Sequence, residues 1–263
     1  MAVSLKRLYE TEVEAEARKG LLAATGIITE DVIAGLPEPV REHFRRCGRV
    51  GKPNMKNACV LWKGVSFKPS PERKWIALEC RQFNSVPEPA RIVYMKTRIG
   101  GLIPFEARDK YQDGHGNMLI RLARLFTVAD ARGPEMDASA LVTFLAEALL
   151  VPSCALAPYI TWTAVNSRAA GAAISFSGVT VKGLFRFNTK GEFVRFETNG
   201  RYYAAPNGLY EKIGWYAVAG DYAEKNGVRF PTTLSAAWRF KGGDFEYFTG
   251  TLGDITYDVG RAL

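Results

Sequence analysis

A chain of 263 residues with 47% hydrophobic and 24% charged residues has the make-up of a globular protein that can bury a large core. The cysteines Cys47, Cys59, Cys80 and Cys154 lack CxxC spacing, and His43 and His115 are the only histidines. A disulfide framework and a multi-histidine metal site are therefore not expected, and no metal or cofactor is. The net charge is +8, yet the basic residues are dispersed among acids without an aromatic–basic module, so nucleic acid is not an expected partner.

No apolar run approaches the roughly 18 residues of a membrane span. Residues 1–20 are charged and lack the apolar core of a signal peptide, so a cytoplasmic location is expected.

Residues 4–24 read as a helix ending near Gly26, with Glu10 to Glu16 ahead of Arg18 and Lys19, as the helix dipole favours. Its apolar pattern (Leu5, Leu8, Val13, Leu21, Leu22) is thin, and a surface position is expected. Thr29 is placed to cap a second short helix through Glu30 and Asp31. Pro37 and Pro39 suit the start of a third, and Gly48 its stop. Val40, Phe44 and Cys47 form its inward stripe. Arg41, Arg45, Arg46, Arg49, Lys52 and Lys56 form the densest positive cluster of the chain, a solvated face or a contact surface for an anionic membrane.

From Ala58 the period changes to two. Strands are expected over residues 59–67, 75–83, 91–98, 104–111 and 117–128, with a hairpin turn at Asp113-Gly114-His115-Gly116. A central helix follows Gly133-Pro134, with Asp137 as N-cap and Pro152 and Pro158 as stops. Leu141, Phe144, Leu145, Ala148 and Leu149 share one face, while Val142, Ala146 and Leu150 make the other side apolar as well. A helix with two apolar sides is buried on both. More strands follow over 159–165, 174–187 with a bulge at Gly178, 192–198, 215–222, 229–241, 245–252 and 255–257. A loop surrounds Pro206 and Gly208, and Lys225-Asn226-Gly227 marks another hairpin. The expected fold is α+β: a large curved antiparallel sheet of about ten strands, half-barrel-like, wrapped around the central buried helix. Residues 1–35 form an N-terminal helical extension and 36–263 a single domain.

The order LPEPVREHF, FEARDKYQDGHGNM, FLAEALLVPSCALAPYITW, GDYAEKNGVRFPTTLSAAWRF and DFEYFTGTLGDITYD resembles an uncharacterised bacterial family catalogued only as a domain of unknown function, over about residues 36–258. The inferred architecture is also similar, at the level of fold, to the half-barrel lipid and lipoprotein carriers.

Glu147 is a lone carboxyl in an apolar helix. It is either neutralised by a strand arginine such as Arg121, Arg124, Arg186 or Arg195, or it faces an open pocket. Phe105, Ala107, Asp109 and Tyr111 alternate onto one strand face. If that face is concave, Asp109 and Tyr111 point into a cavity together and Asp109 could pair with Glu147; the alternative is that Asp109 begins the hydrogen bonding of the hairpin turn. Arg229 follows a hairpin turn at a strand end, and Trp162 and Trp238 are large apolar members of other strands. The first function these residues support is binding or carriage of a hydrophobic, lipid- or fatty-acid-like molecule. Phe144, Trp162 and Trp238 would line its cavity, with Glu147 and Arg229 as polar anchors. The second is a hydrolase-like enzyme using Glu147 with Asp109 or Tyr111 as catalytic acid and base. The third is an interaction module acting through the Arg41 to Lys56 surface.

Overall fold

The computed structural model describes residues 4–21, 26–205 and 208–262. Residues 22–24 of the expected first helix and Pro206 of the expected loop lie outside these. Three helices come first: α1 (Leu5–Leu21), α2 (Glu30–Ile33) and α3 (Glu38–Arg46). Strands β1 (Asn57–Phe67), β2 (Ile76–Ser85), β3 (Ala90–Ile99), β4 (Ile103–Gln112), β5 (His115–Leu122) and β6 (Phe126–Ala131) follow. Helix α4 (Pro134–Ala146) and a 3-10 turn (Pro152–Leu156) come next. Strands β7 (Ile160–Asn166), β8 (Ala169–Phe176), β9 (Val179–Phe187), β10 (Phe193–Ala204), β11 (Tyr210–Lys225), β12 (Val228–Phe240) and β13 (Gly243–Tyr257) complete the chain.

Among the described residues the thirteen strands form one antiparallel sheet, curled into a half-barrel, in the order β6-β5-β4-β3-β2-β1-β13-β12-β11-β10-β9-β8-β7. The first and second halves of the chain are the two arms of this sheet, and the pairing of β1 with β13 joins them. Helix α4 touches β4 and β5 on one arm and β8, β9 and β10 on the other. Contact with both arms buries the helix on more than one side, which its two apolar sides require. Leu141, Val142, Phe144 and Leu145 are fully or almost fully buried, each contributing about 1.5–3 kcal/mol relative to exposure.

Two of the expected stretches divide, because turns that preserve an apolar pattern read as continuous strand. Residues 117–128 divide into β5 and β6 at Ala123 and Arg124, both at positive φ. The expected bulge at Gly178 is a two-residue hairpin turn: Ser177 (φ 47°) and Gly178 (φ 79°) reverse the chain between β8 and β9. Asp113-Gly114 and Asn226-Gly227 make equivalent turns. At the end of the chain, residues 243–257 form one strand where two were expected.

Two helix expectations also change. Leu5, Tyr9, Val13 and Ala17 of α1 recur every fourth residue and are buried against Phe83, Ile92, Tyr94 and Leu119 on the convex side of β2–β5. The thin pattern is a narrow stripe, sufficient to dock the helix. The N-cap of α4 is Gly133, and Asp137 instead accepts the Gly116 backbone N–H at 2.7 Å, tying the helix to the β4–β5 hairpin. Thr29 caps α2 as expected, accepting from the Val32 N–H at 3.3 Å.

Candidate functional site

Strand alternation selects the side chains that face α4. One row across the arm runs Gln82, Val93, Asp109 and Met118, and the next runs Asn84, Arg91 and Tyr111. The helix ends at Ala146, with Glu147 as its C-cap. A carboxylate there meets the negative end of the helix dipole, so its stability depends on donors from the sheet. The donors are present: Oε2 of Glu147 accepts from Gln82 Nε2 at 2.7 Å and from Asn84 Nδ2 at 3.0 Å. Arg91 Nε donates to both carboxylate oxygens, at 2.9 and 3.0 Å, and its Nη1 donates to Asp109 Oδ2 at 2.7 Å. Burial works against the charge of Arg91, but the two carboxylates outweigh it and hold the guanidinium protonated above its ordinary range. Side-chain exposures of 14% for Arg91, 13% for Glu147 and 21% for Asp109 leave the trio shielded yet in contact with an opening.

That opening is a cavity of about 200 Å³ under α4 and over the middle strands of the sheet. It is far above the ~10–15 Å³ that accommodates one water. Trp62, Leu78, Met95, Phe105, Met118 and Ile120 line it from the first arm, and Phe193, Trp215, Leu234 and Phe248 from the second. Glu147, Arg91 and Asp109 are polar members of the wall, with Gln82, Thr143, Arg201, Ser235 and Tyr247. Cys80 also lines it, its thiol pushed up to about 12 by burial.

Arg201 occupies a separate corner. Its guanidinium lies 4.6 Å from the Trp215 ring centre and 4.9 Å from that of Trp238. Its Nη1 donates to Tyr247 Oη at 2.8 Å, and Trp215 Nε1 donates to the same oxygen at 3.0 Å. Nε of Arg201 is buried and has no acceptor among the described residues, a deficit of about 1–3 kcal/mol. The rings stabilise the cation by about 0.5–2 kcal/mol without supplying a counter-charge.

The family described as "Family of unknown function (DUF6544)" matches residues 26–250. The chain belongs to the DUF6544 family. No curated protein matches this DUF6544 chain. Solved structures similar to it include a LolA superfamily protein from Nitrosomonas europaea, at 9% identity and a TM-score of 0.43 over 82% of this chain and 92% of that one. A DUF1329 family protein from Desulfovibrio piger has 10% identity and a TM-score of 0.37 over 89% and 95% of the two chains. A domain named for outer membrane lipoprotein sorting, from Vibrio parahaemolyticus, has 10% identity and a TM-score of 0.34 over 85% and 92%.

Of the residues singled out in the DUF6544 sequence, Glu147 and Asp109 meet at Arg91 and line the cavity. The partner of Glu147 is Arg91, in place of the expected Arg121, Arg124, Arg186 or Arg195. Tyr111 shares the face of Asp109 but is wholly buried, its hydroxyl without a partner among the described residues and its acidity suppressed by burial. Phe144, Trp162, Arg229 and Trp238 are not part of the cavity wall. Phe144 packs edge-on to Tyr159, and Trp162 packs against Phe185 while donating to the Ala155 carbonyl at 2.8 Å. Trp238 stacks on Tyr247 and acts at one remove, through Arg201. Arg229 is bound to Glu192, whose side chain is 8% exposed.

Three of the six members of the basic cluster are paired with carboxylates. Arg41 pairs with Glu38, Arg45 with Glu30 and Glu42, and Arg46 with Glu42. Arg49 is buried against the Tyr257 ring. Among the described residues no three His, Cys, Asp or Glu side chains converge as a metal site, and no helix is long and apolar enough to cross a membrane.

Arg91, Gln82, Asn84, Arg201 and Tyr247 join the site without a catalytic or ligand-binding motif in the sequence to mark them. One signal was available: Leu78, Cys80, Gln82 and Asn84 alternate onto one strand face, and the change from apolar to amide on an inward face marks a polar group opposite.

Proposed function

We propose that the chain binds and carries a hydrophobic small molecule in the cavity between α4 and the concave sheet. The observation that carries this reading is a mostly apolar, partly open cavity of about 200 Å³ between α4 and the sheet. Protein interiors pack at crystal-like density, so a mostly apolar recess of this size suits an occupant. Its wall has the composition of a ligand site: aromatic and aliphatic side chains with a few convergent polar groups.

The hydrolase reading receives less support. Glu147 accepts from Gln82, Asn84 and Arg91, a set of donors that suits an acceptor-only carboxylate. A general acid must present a proton to its substrate, and here N–H groups occupy the carboxyl oxygens. Tyr111 is sealed away from the cavity.

The test is uptake of N-phenyl-1-naphthylamine, an uncharged apolar fluorophore. Saturable enhancement at one site per chain, competed by 1-dodecanol, supports the proposal. Absence of saturable uptake argues against it.

A further inference from the structure

We infer that Arg201 and Tyr247 form a carboxylate-binding site in the cavity wall, so that the hydrophobic molecule is a long-chain carboxylate whose head docks there. This rests on the carrier reading above. Four observations converge on this corner. Arg201 lines the cavity. Among the described residues its hydrogen bond to Tyr247 is the one its guanidinium makes, no carboxylate pairs with it, and its buried Nε has no partner. Tyr247 Oη already accepts from Arg201 and Trp215, which leaves its own O–H hydrogen to donate. Trp215 and Trp238 hold the guanidinium plane from their ring faces, so the charge is positioned before any ligand arrives.

The other polar region of the cavity has the opposite character. There Arg91 already serves both Glu147 and Asp109, leaving a net negative charge that repels an anion. An amphiphile with an anionic head is therefore sorted to the Arg201 corner, with its tail along Trp62, Leu78, Leu234 and Phe248. One guanidinium supplies a single positive charge and a planar pair of N–H donors, the complement of a carboxylate.

The experiment is calorimetric titration of the whole chain, its Arg201→Gln variant and its Tyr247→Phe variant with sodium dodecanoate and with 1-dodecanol. Replacing Arg201 is expected to weaken dodecanoate binding by about tenfold or more and to change dodecanol binding by less than threefold. Tyr247→Phe keeps the ring packing and tests the site even if the Arg201 variant fails to fold. It is expected to weaken dodecanoate severalfold and spare dodecanol. Dodecanol binding to the unaltered chain, with dodecanoate binding absent or indifferent to both substitutions, would overturn the carboxylate site and leave the carrier reading standing. Equal losses for the two ligands would also overturn it, since they mark damage to the cavity and not to a charge contact. Failure of both ligands to bind the unaltered chain would overturn the carrier reading, and the carboxylate site with it.

Discussion

Glu147 and Asp109 share one guanidinium: Arg91 gives Nε to the first at 2.9 Å and Nη1 to the second at 2.7 Å. Glu147 closes α4 and Asp109 lies in β4, so this contact is also a clasp between the helix and one arm of the half-barrel. Removing the cation alone leaves two shielded carboxylates facing each other. Arg91→Met is expected to cost about 3–5 kcal/mol, read as a lower midpoint in urea. Arg91→Met combined with Glu147→Met and Asp109→Leu is expected to recover most of that loss, because no unpaired charge remains.

This clasp also shows where sequence reading stops. The two-sided apolar pattern of residues 141–150 sufficed to place α4 inside a curled sheet, and the alternation through Leu234, Ala236, Trp238 and Phe240 sufficed for a strand such as β12. Both are local periodicities. The partner of Glu147 is not local: Arg91 is 56 residues away and reaches it only through the register of β2, β3 and β4. A shift of one residue in that register would turn Arg91 to the convex side. Arg201 was hidden for a related reason, since its meaning comes from aromatic rings on β11, β12 and β13. The hairpin at Ser177-Gly178 reads as a bulge because both devices reverse the phase of alternation at a glycine.

Gly183 in β9 supports the aromatic cluster of the second arm. A Cβ there would meet Phe196 Cζ at 2.1 Å, and Phe196 is fully buried between Phe185 and Trp215. Gly183→Ala is expected to destabilise the fold by about 1–3 kcal/mol through overpacking. Adding Phe196→Leu is expected to return part of this, and a double-mutant cycle in urea measures the coupling.

His43 gives the fold a pH dependence below neutrality. It is buried, its Nδ1 lies 3.0 Å from the Gly191 carbonyl oxygen, and burial pushes its pKa down to about 4 from 6.5. The folded state therefore prefers the neutral ring, and between these values the unfolded chain binds more protons. Its contribution to stability is present above pH 6.5 and declines as pH falls toward 4, by up to about 3 kcal/mol. Thermal melting across pH 7 to 4 is expected to show the decline, and His43→Gln to flatten it. An equal slope in the variant would assign the decline to other groups.

The cavity itself tests the account most directly. Ala217 and Ala236 face each other across β11 and β12 and both line it, so an aromatic side chain at either position fills space that the native residues leave open. Native mass spectrometry of the unaltered chain and of Ala217→Phe, each incubated with a mixture of long-chain carboxylates and alcohols, measures occupancy directly. One adduct per chain is expected for the unaltered protein, and its loss in a folded Ala217→Phe variant. Undiminished adducts in that variant, or none in the unaltered protein, would contradict it.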